Sequence, residues 1–161
     1  MSLKEYTFSY TELNNDSSLN KQDRMLLSAA RKITAQAYAP YSDFFVGAAA
    51  FLSNKAIITA TNQESASSPI GLCAERVLLS AIASLHPKSN IKTIAISYDN
   101  KKGESNHPVS PCGICRQSLA DYEARQTQPI RLILSGLKGK VFVIKSASLL
   151  LPLSFSAKDL L

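Results

Sequence analysis

Gly71-Leu72-Cys73-Ala74-Glu75-Arg76 and Ser110-Pro111-Cys112-Gly113-Ile114-Cys115-Arg116-Gln117 hold all three cysteines of the chain. Each stretch opens a helical pattern, Cys73–Leu85 in one case and Cys112–Arg125 in the other. A CxxC pair at a helix start brings two thiols within reach of one ion, and helix N-termini favour the thiolate. Cys73 stands at the same kind of position on the other helix. Three thiolates around zinc leave a fourth tetrahedral position open, and an open position separates catalytic from structural zinc. Two blander readings exist. Free cysteines serve as small buried hydrophobes, and a histidine could close a structural zinc site. His86 and His107 are the only histidines, and neither has ligand spacing to a cysteine, so catalytic zinc is the reading adopted.

Two neighbours sharpen it. Glu75 follows a ligand by two residues. A carboxylate there can lean over the open position without ligating, take a proton from water and hand it to substrate. Alone, it would read as an acidic residue balancing the helix dipole. Arg76 comes next. Three thiolates and one divalent ion leave a charge of −1, which an arginine beside the thiolates would drain. Its bland reading is an exposed surface arginine.

Outward from these segments, the chain alternates helices and strands. Lys21–Tyr38 carries Leu26, Ala29, Ala30, Ile33 and Ala37 at helical spacing, and Pro40 ends it. Phe44–Leu52 and Ala56–Thr61, separated by Ser53-Asn54-Lys55, form a hairpin signal. Ile91–Tyr98 is apolar on both faces near its centre, as a buried strand is. Ile130–Leu134 and Lys140–Lys145 are further strands, and Pro152 halts an apolar segment, Ala147–Leu151. Leu3–Tyr10 alternates weakly and is a candidate edge strand. Strands joined through helices point to an α/β layer sandwich in one domain over 21–161, with residues 1–20 as an N-terminal extension.

Composition narrows the function class. With 161 residues, 45% hydrophobic and 19% charged, the chain suits one folded domain and not a disordered one. No stretch nears the roughly 18 apolar residues of a membrane span. The first residues, with Lys4, Glu5 and Glu12, lack an apolar leader, so the expected location is the cytoplasm. There, three cysteines need a role other than disulfides. Eighteen Lys+Arg against 12 Asp+Glu give +6, but the charges are scattered and interleave with no aromatic stripe. The expectation is a solvated surface and no nucleic-acid partner.

The Cys-Ala-Glu-Arg and Pro-Cys-Gly-Ile-Cys segments match the zinc deaminase pattern of three ligands, a non-ligand Glu and a PCxxC arm. In their three-cysteine form they resemble the small homotetrameric cytidine deaminases. Ala37–Ala49, Thr61–Ser67 and, more weakly, Leu150–Phe155 extend the likeness over about residues 30 to 161. The resemblance implies a three-layer α-β-α sandwich on a five-stranded mixed sheet and zinc-dependent hydrolysis of cytidine and deoxycytidine to uridine and deoxyuridine. Cys73, Cys112 and Cys115 would bind Zn2+, with Glu75 the proton shuttle and Arg76 behind the thiolates. Asn62 and Glu64 would hold the ribose, a diol that an amide and a carboxylate suit. Phe44, Ala74 and Phe155 would bind substrate, Phe155 in this family often at a neighbouring subunit's site. For Phe44 and Phe155 plain core packing is the alternative.

The chain departs from the family at Phe45, where proline is usual, at Ser65, where asparagine is usual, and at Ser68-Pro69-Ile70. The 99–110 loop is also long. Ser65 and Ser68 lie near the expected sugar pocket, so they bear on substrate preference. Three rivals accompany this reading. A deaminase of a modified nucleoside such as blasticidin S shares the cysteine pattern, but Asn62 and Glu64 favour a free ribose. Nucleic-acid editors usually carry histidine as first ligand. A non-enzymatic structural zinc module would need a fourth protein ligand.

Overall fold

The computed structural model describes residues 1–160. Its strands are β1 (Thr11–Leu13), β2 (Phe44–Leu52), β3 (Ile57–Thr61), β4 (Ile91–Asn100), β5 (Arg131–Ser135) and β6 (Val141–Ile144). Its helices are α1 (Lys21–Ile33), α2 (Ala74–Leu85) and α3 (Gly113–Gln126). The strands form one sheet in the order β1-β6-β5-β4-β2-β3. Only β4 and β5 pair in parallel, with α3 as their crossover; the other pairs are antiparallel.

Side-chain alternation divides the sheet between two cores. Ala49, Ala95, Ile133 and Val141 point to one face, where Leu26, Leu27 and Ala30 of α1 cover them. Ala48, Ala50, Ile94, Ile96, Leu132 and Leu134 point to the other, against Leu78 and Ile82 of α2 and Leu119 of α3. The layers are therefore α-β-α, as expected. β4 is buried on both faces, which explains its nearly continuous apolar run. Gly47 lets α1 press against β2: a Cβ there would sit 2.1 Å from the Ala30 carbonyl oxygen and 2.7 Å from Ile33 Cγ2.

Three details differ from the sequence expectation. The sheet has six strands, not five. The sixth is Thr11–Leu13, which pairs with Val141–Val143, whereas the weakly alternating Leu3–Tyr10 carries no regular element. Its three residues show too little periodicity to read alone, and the free edge of β6 supplies the hydrogen bonds that make them a strand. The first helix stops at Ile33 and tightens into a 3-10 turn, Thr34–Gln36. The Thr34 hydroxyl donates to the Arg31 carbonyl (2.7 Å). Tyr38 is instead bridged to Gln63, its N–H donating to the Asn62 carbonyl (3.1 Å). This long-range pairing pulls the chain out of the helix before Pro40 is reached. Third, β4 runs two residues past Tyr98, because Asp99 and Asn100 pair with Phe45 and Phe44.

Candidate active site

Cys73 and Cys112 occupy the N-cap positions of α2 and α3, and neither side chain caps its helix. N-caps are usually Ser, Thr, Asp or Asn, whose oxygens satisfy a free N–H. Here that role is given up and the thiols stay free at the positive helix ends. Cys115 lies in the first turn of α3 and is buried. The three Sγ atoms lie within 4.8 Å of one another, and Cys73 and Cys112 are 3.8 Å apart. Zn–S bonds of about 2.3 Å in a tetrahedron put sulfurs about 3.8 Å apart. Donor chemistry and spacing both fit zinc. Among the described residues no fourth His, Cys, Asp or Glu joins the cluster.

The electrostatics favour a thiolate. A hydrogen bond from Cys115 draws the Cys73 thiol down to about 6, against the opposing effect of burial, and Cys112 and the charge of Arg76 add to it. Cys115, the donor of the pair, moves the other way and is raised, first by that bond and then by burial. Glu75, in the first turn of α2, is 5% exposed. Burial holds its carboxyl above the usual range, and the charge of Cys73 acts in the same sense. A carboxyl so raised holds a proton more readily than an exposed one, which suits a group that must both accept and release it.

Cys73, Glu75 and Cys112 open onto a cavity of about 450 Å³, a volume in the range of small-molecule sites. Phe44, Asn62 and Glu64 line it too. Asn62 is buried, and its amide stitches β2 in place: Nδ2 donates to the Phe44 carbonyl (2.9 Å) and Oδ1 accepts from the Val46 N–H (2.7 Å). One amide hydrogen and one lone pair remain for a ligand. Glu64 accepts from the Tyr41 N–H (2.9 Å) and from the hydroxyl and N–H of Ser42. The Ser42 hydroxyl, above all, holds its carboxyl below the usual range.

Three expected residues do not line this cavity. Ala74 is fully buried in the core beneath α2 and does not line the cavity. Arg76 is half-buried on α2 and faces a second, larger cavity of about 1140 Å³ between α2, α3 and the C-terminal segment. Phe155 is 59% exposed and borders that second cavity, where its carbonyl accepts from Gln117 (2.8 Å). Within one chain, Phe155 is not brought to the thiol site.

Tyr98 was not singled out from the sequence. It lines the thiol cavity, and its ring stacks on Phe44 at 4.8 Å and 12°. Alternation along Ile91–Tyr98 does put Tyr98 on the face of Ile94 and Ile96. The register that sets it opposite Val46 and diagonal to Phe44 lay outside the local pattern.

Comparison with known proteins agrees with this geometry. Residues 20–128 match the family model described as the cytidine and deoxycytidylate deaminase zinc-binding region. A cytidine deaminase of Halalkalibacterium halodurans is 36% identical over 137 residues, 85% of this chain and 96% of that protein. The crystal structure of a cytidine deaminase from Burkholderia pseudomallei superposes with a TM-score of 0.70 at 34% identity, covering 82% of this chain and 98% of the other. A blasticidin-S deaminase of Bacillus cereus is more distant, at 27% identity over 141 residues.

Proposed function

This chain belongs to the cytidine and deoxycytidylate deaminase zinc-binding family, and on that premise we propose that it hydrolyses cytidine and deoxycytidine to uridine and deoxyuridine with release of ammonia. One observation carries the reading: three thiols are spaced for one zinc ion, and two of them, Cys73 and Cys112, open with the buried Glu75 carboxyl onto a single cavity of nucleoside size.

In this reading Cys73, Cys112 and Cys115 hold the zinc. The bound ion supplies Lewis acidity to a water molecule, which hydrolysis of the C4–amine bond requires. Glu75 accepts the proton that this water gives up and delivers it to N3 of cytosine, making C4 electrophilic. As the water oxygen bonds to C4 and the C4–amine bond breaks, Glu75 takes that oxygen's remaining proton and passes it to the departing amine, acting as base and then as acid. Arg76, whose charge acts on Cys73, offsets the excess negative charge of the thiolates. Asn62 and Glu64 hold the sugar hydroxyls, and Phe44 packs on the nucleoside.

The cavity lining supports a free nucleoside over a nucleotide. It includes Glu64 and Glu75 and, among the described residues, no Lys or Arg, so a 5′-phosphate would meet negative charge without a counter-ion. We also propose a homotetramer. Phe155 and Leu160 stand exposed beside the larger cavity and Leu153 is exposed in the same segment, and a second chain would cover such apolar surface. Phe155 would then act at a neighbour's site. The cytoplasm, which keeps thiols reduced, suits three free cysteines. No helix among the described residues is long and apolar enough to cross a membrane.

The test is a deamination assay on protein of measured zinc content, with Glu75→Gln as blank. Cytidine, deoxycytidine, deoxycytidylate, blasticidin S and a single-stranded oligonucleotide are compared. Turnover of the two free nucleosides alone is expected. Zinc-loaded protein that ignores both nucleosides would refute the proposal, and turnover of blasticidin S instead would transfer the activity to the modified-nucleoside class.

A further inference from the structure

The aromatic stack at the side of the cavity has no part in the proton chemistry. Val46 lies opposite Tyr98 across the β2–β4 pair, and Phe44 opposite Asn100. Phe44 and Tyr98 are thus diagonal neighbours on one face of the sheet, a placement from which aromatic rings reach each other. Their rings are nearly parallel, and Tyr98 is 3% exposed. One ring therefore backs the other along the cavity wall.

The far end of Tyr98 is held by the 101–110 loop. Its hydroxyl lies 3.3 Å from His107 Nδ1 and 3.5 Å from Nε2, and the imidazole meets the phenol ring edge-on at 5.9 Å and 68°. Burial keeps the phenol pKa above its ordinary value, so the group stays an O–H donor. The loop is itself pinned. The Ser105 hydroxyl accepts from the Asn100 N–H (2.8 Å), and its carbonyl accepts from the Lys138 N–H (3.2 Å). A Cβ on Gly136 would fall 2.2 Å from the Ser105 carbonyl oxygen, and one on Gly139 2.0 Å from that of Asn106. The two glycines thus let the β5–β6 turn close against the loop. A rigid path runs from that turn, through His107 and Tyr98, to Phe44.

We propose that Tyr98 is a positioning residue for the nucleoside: it fixes the plane of the Phe44 ring against which the substrate packs, and His107 clasps Tyr98 from the loop. This rests on the nucleoside reading of the cavity. A wall that is equally good for substrate and transition state sets KM and leaves kcat alone. Stacking between aromatic rings is worth enough to change affinity by roughly three- to ten-fold.

Steady-state kinetics on cytidine and deoxycytidine, with calorimetric binding of uridine, would be measured for wild type, Tyr98→Ala, Tyr98→Leu, Tyr98→Phe, His107→Ala and the Tyr98→Phe/His107→Ala double variant. Zinc content and melting temperature report the fold. Tyr98→Ala, or Tyr98→Leu if the alanine variant does not fold, is expected to raise KM and the uridine Kd about three- to ten-fold with kcat within two-fold. Tyr98→Phe and His107→Ala should give smaller rises, and the double variant should be no worse than Tyr98→Phe, because removing the hydroxyl already breaks its contact with His107 along with that to the Glu104 carbonyl (3.5 Å). Folded, zinc-loaded Tyr98→Leu with wild-type KM and Kd would overturn the proposal. So would a fall in kcat at unchanged KM. A wild-type protein that neither turns over nucleosides nor binds uridine would instead sink the nucleoside reading beneath it.

Discussion

Glu75 shows how one residue acquires a role from its surroundings. As the second residue of a helix it would be an ordinary partner of the helix dipole. Buried beside Cys73 and opening onto the cavity, it becomes a carboxyl with a raised pKa. Positioned proton transfer contributes about 10²–10⁴-fold to a rate, so Glu75→Gln is expected to lose at least that factor in kcat while binding wild-type zinc. Metal analysis beside the rate assay checks both halves. Wild-type kcat in the variant would remove Glu75 from the chemistry. Asn62 illustrates the converse: the sugar ligand suggested by its place in the sequence is also the side chain that holds the backbone of β2 at the cavity rim.

Among the elements, α3 and the short turn Ala147–Leu150 meet at Glu123. Its buried carboxylate accepts from the N–H groups of Ile130 (2.6 Å) and Ala147 (2.9 Å) and from the Ser146 hydroxyl. Burial alone would raise this group, but the donors outweigh it and hold it below its ordinary 4.5. A depressed folded-state pKa stabilises above the unfolded value and is lost as pH falls through the folded one. Glu123→Gln should therefore cost about 1.5–3 kcal/mol at pH 7, and its gap to wild type should close below pH 4.5. Urea melts of both proteins from pH 7 to 3 would show this; a gap independent of pH would contradict it. At the α1–β2 contact, Gly47→Ala has no room beside the Ala30 carbonyl. A loss of about 1–3 kcal/mol in the same melts is expected from such overpacking.

For the molecule as a whole, the proposed tetramer would cover the exposed C-terminal apolar residues beside the larger cavity. Sedimentation is expected to give a mass near four times 17.5 kDa. Phe155→Ala should then raise KM if Phe155 reaches a neighbour's site. A monomer with full activity would dispose of both expectations.

The local pattern of the chain determined the helices, the hairpin, the buried β4 and the three thiols of the candidate metal site. These depend on period, on spacing of three or four residues and on helix starts, all of which act over one or two turns. It did not determine the pairing of Thr11–Leu13 with β6, the early end of α1, the stack of Tyr98 on Phe44 or the separation of Phe155 from the thiol site. Each of those depends on which distant strand lies alongside and in what register. Register is a property of the packed sheet, where a shift of one residue turns every side chain to the other face.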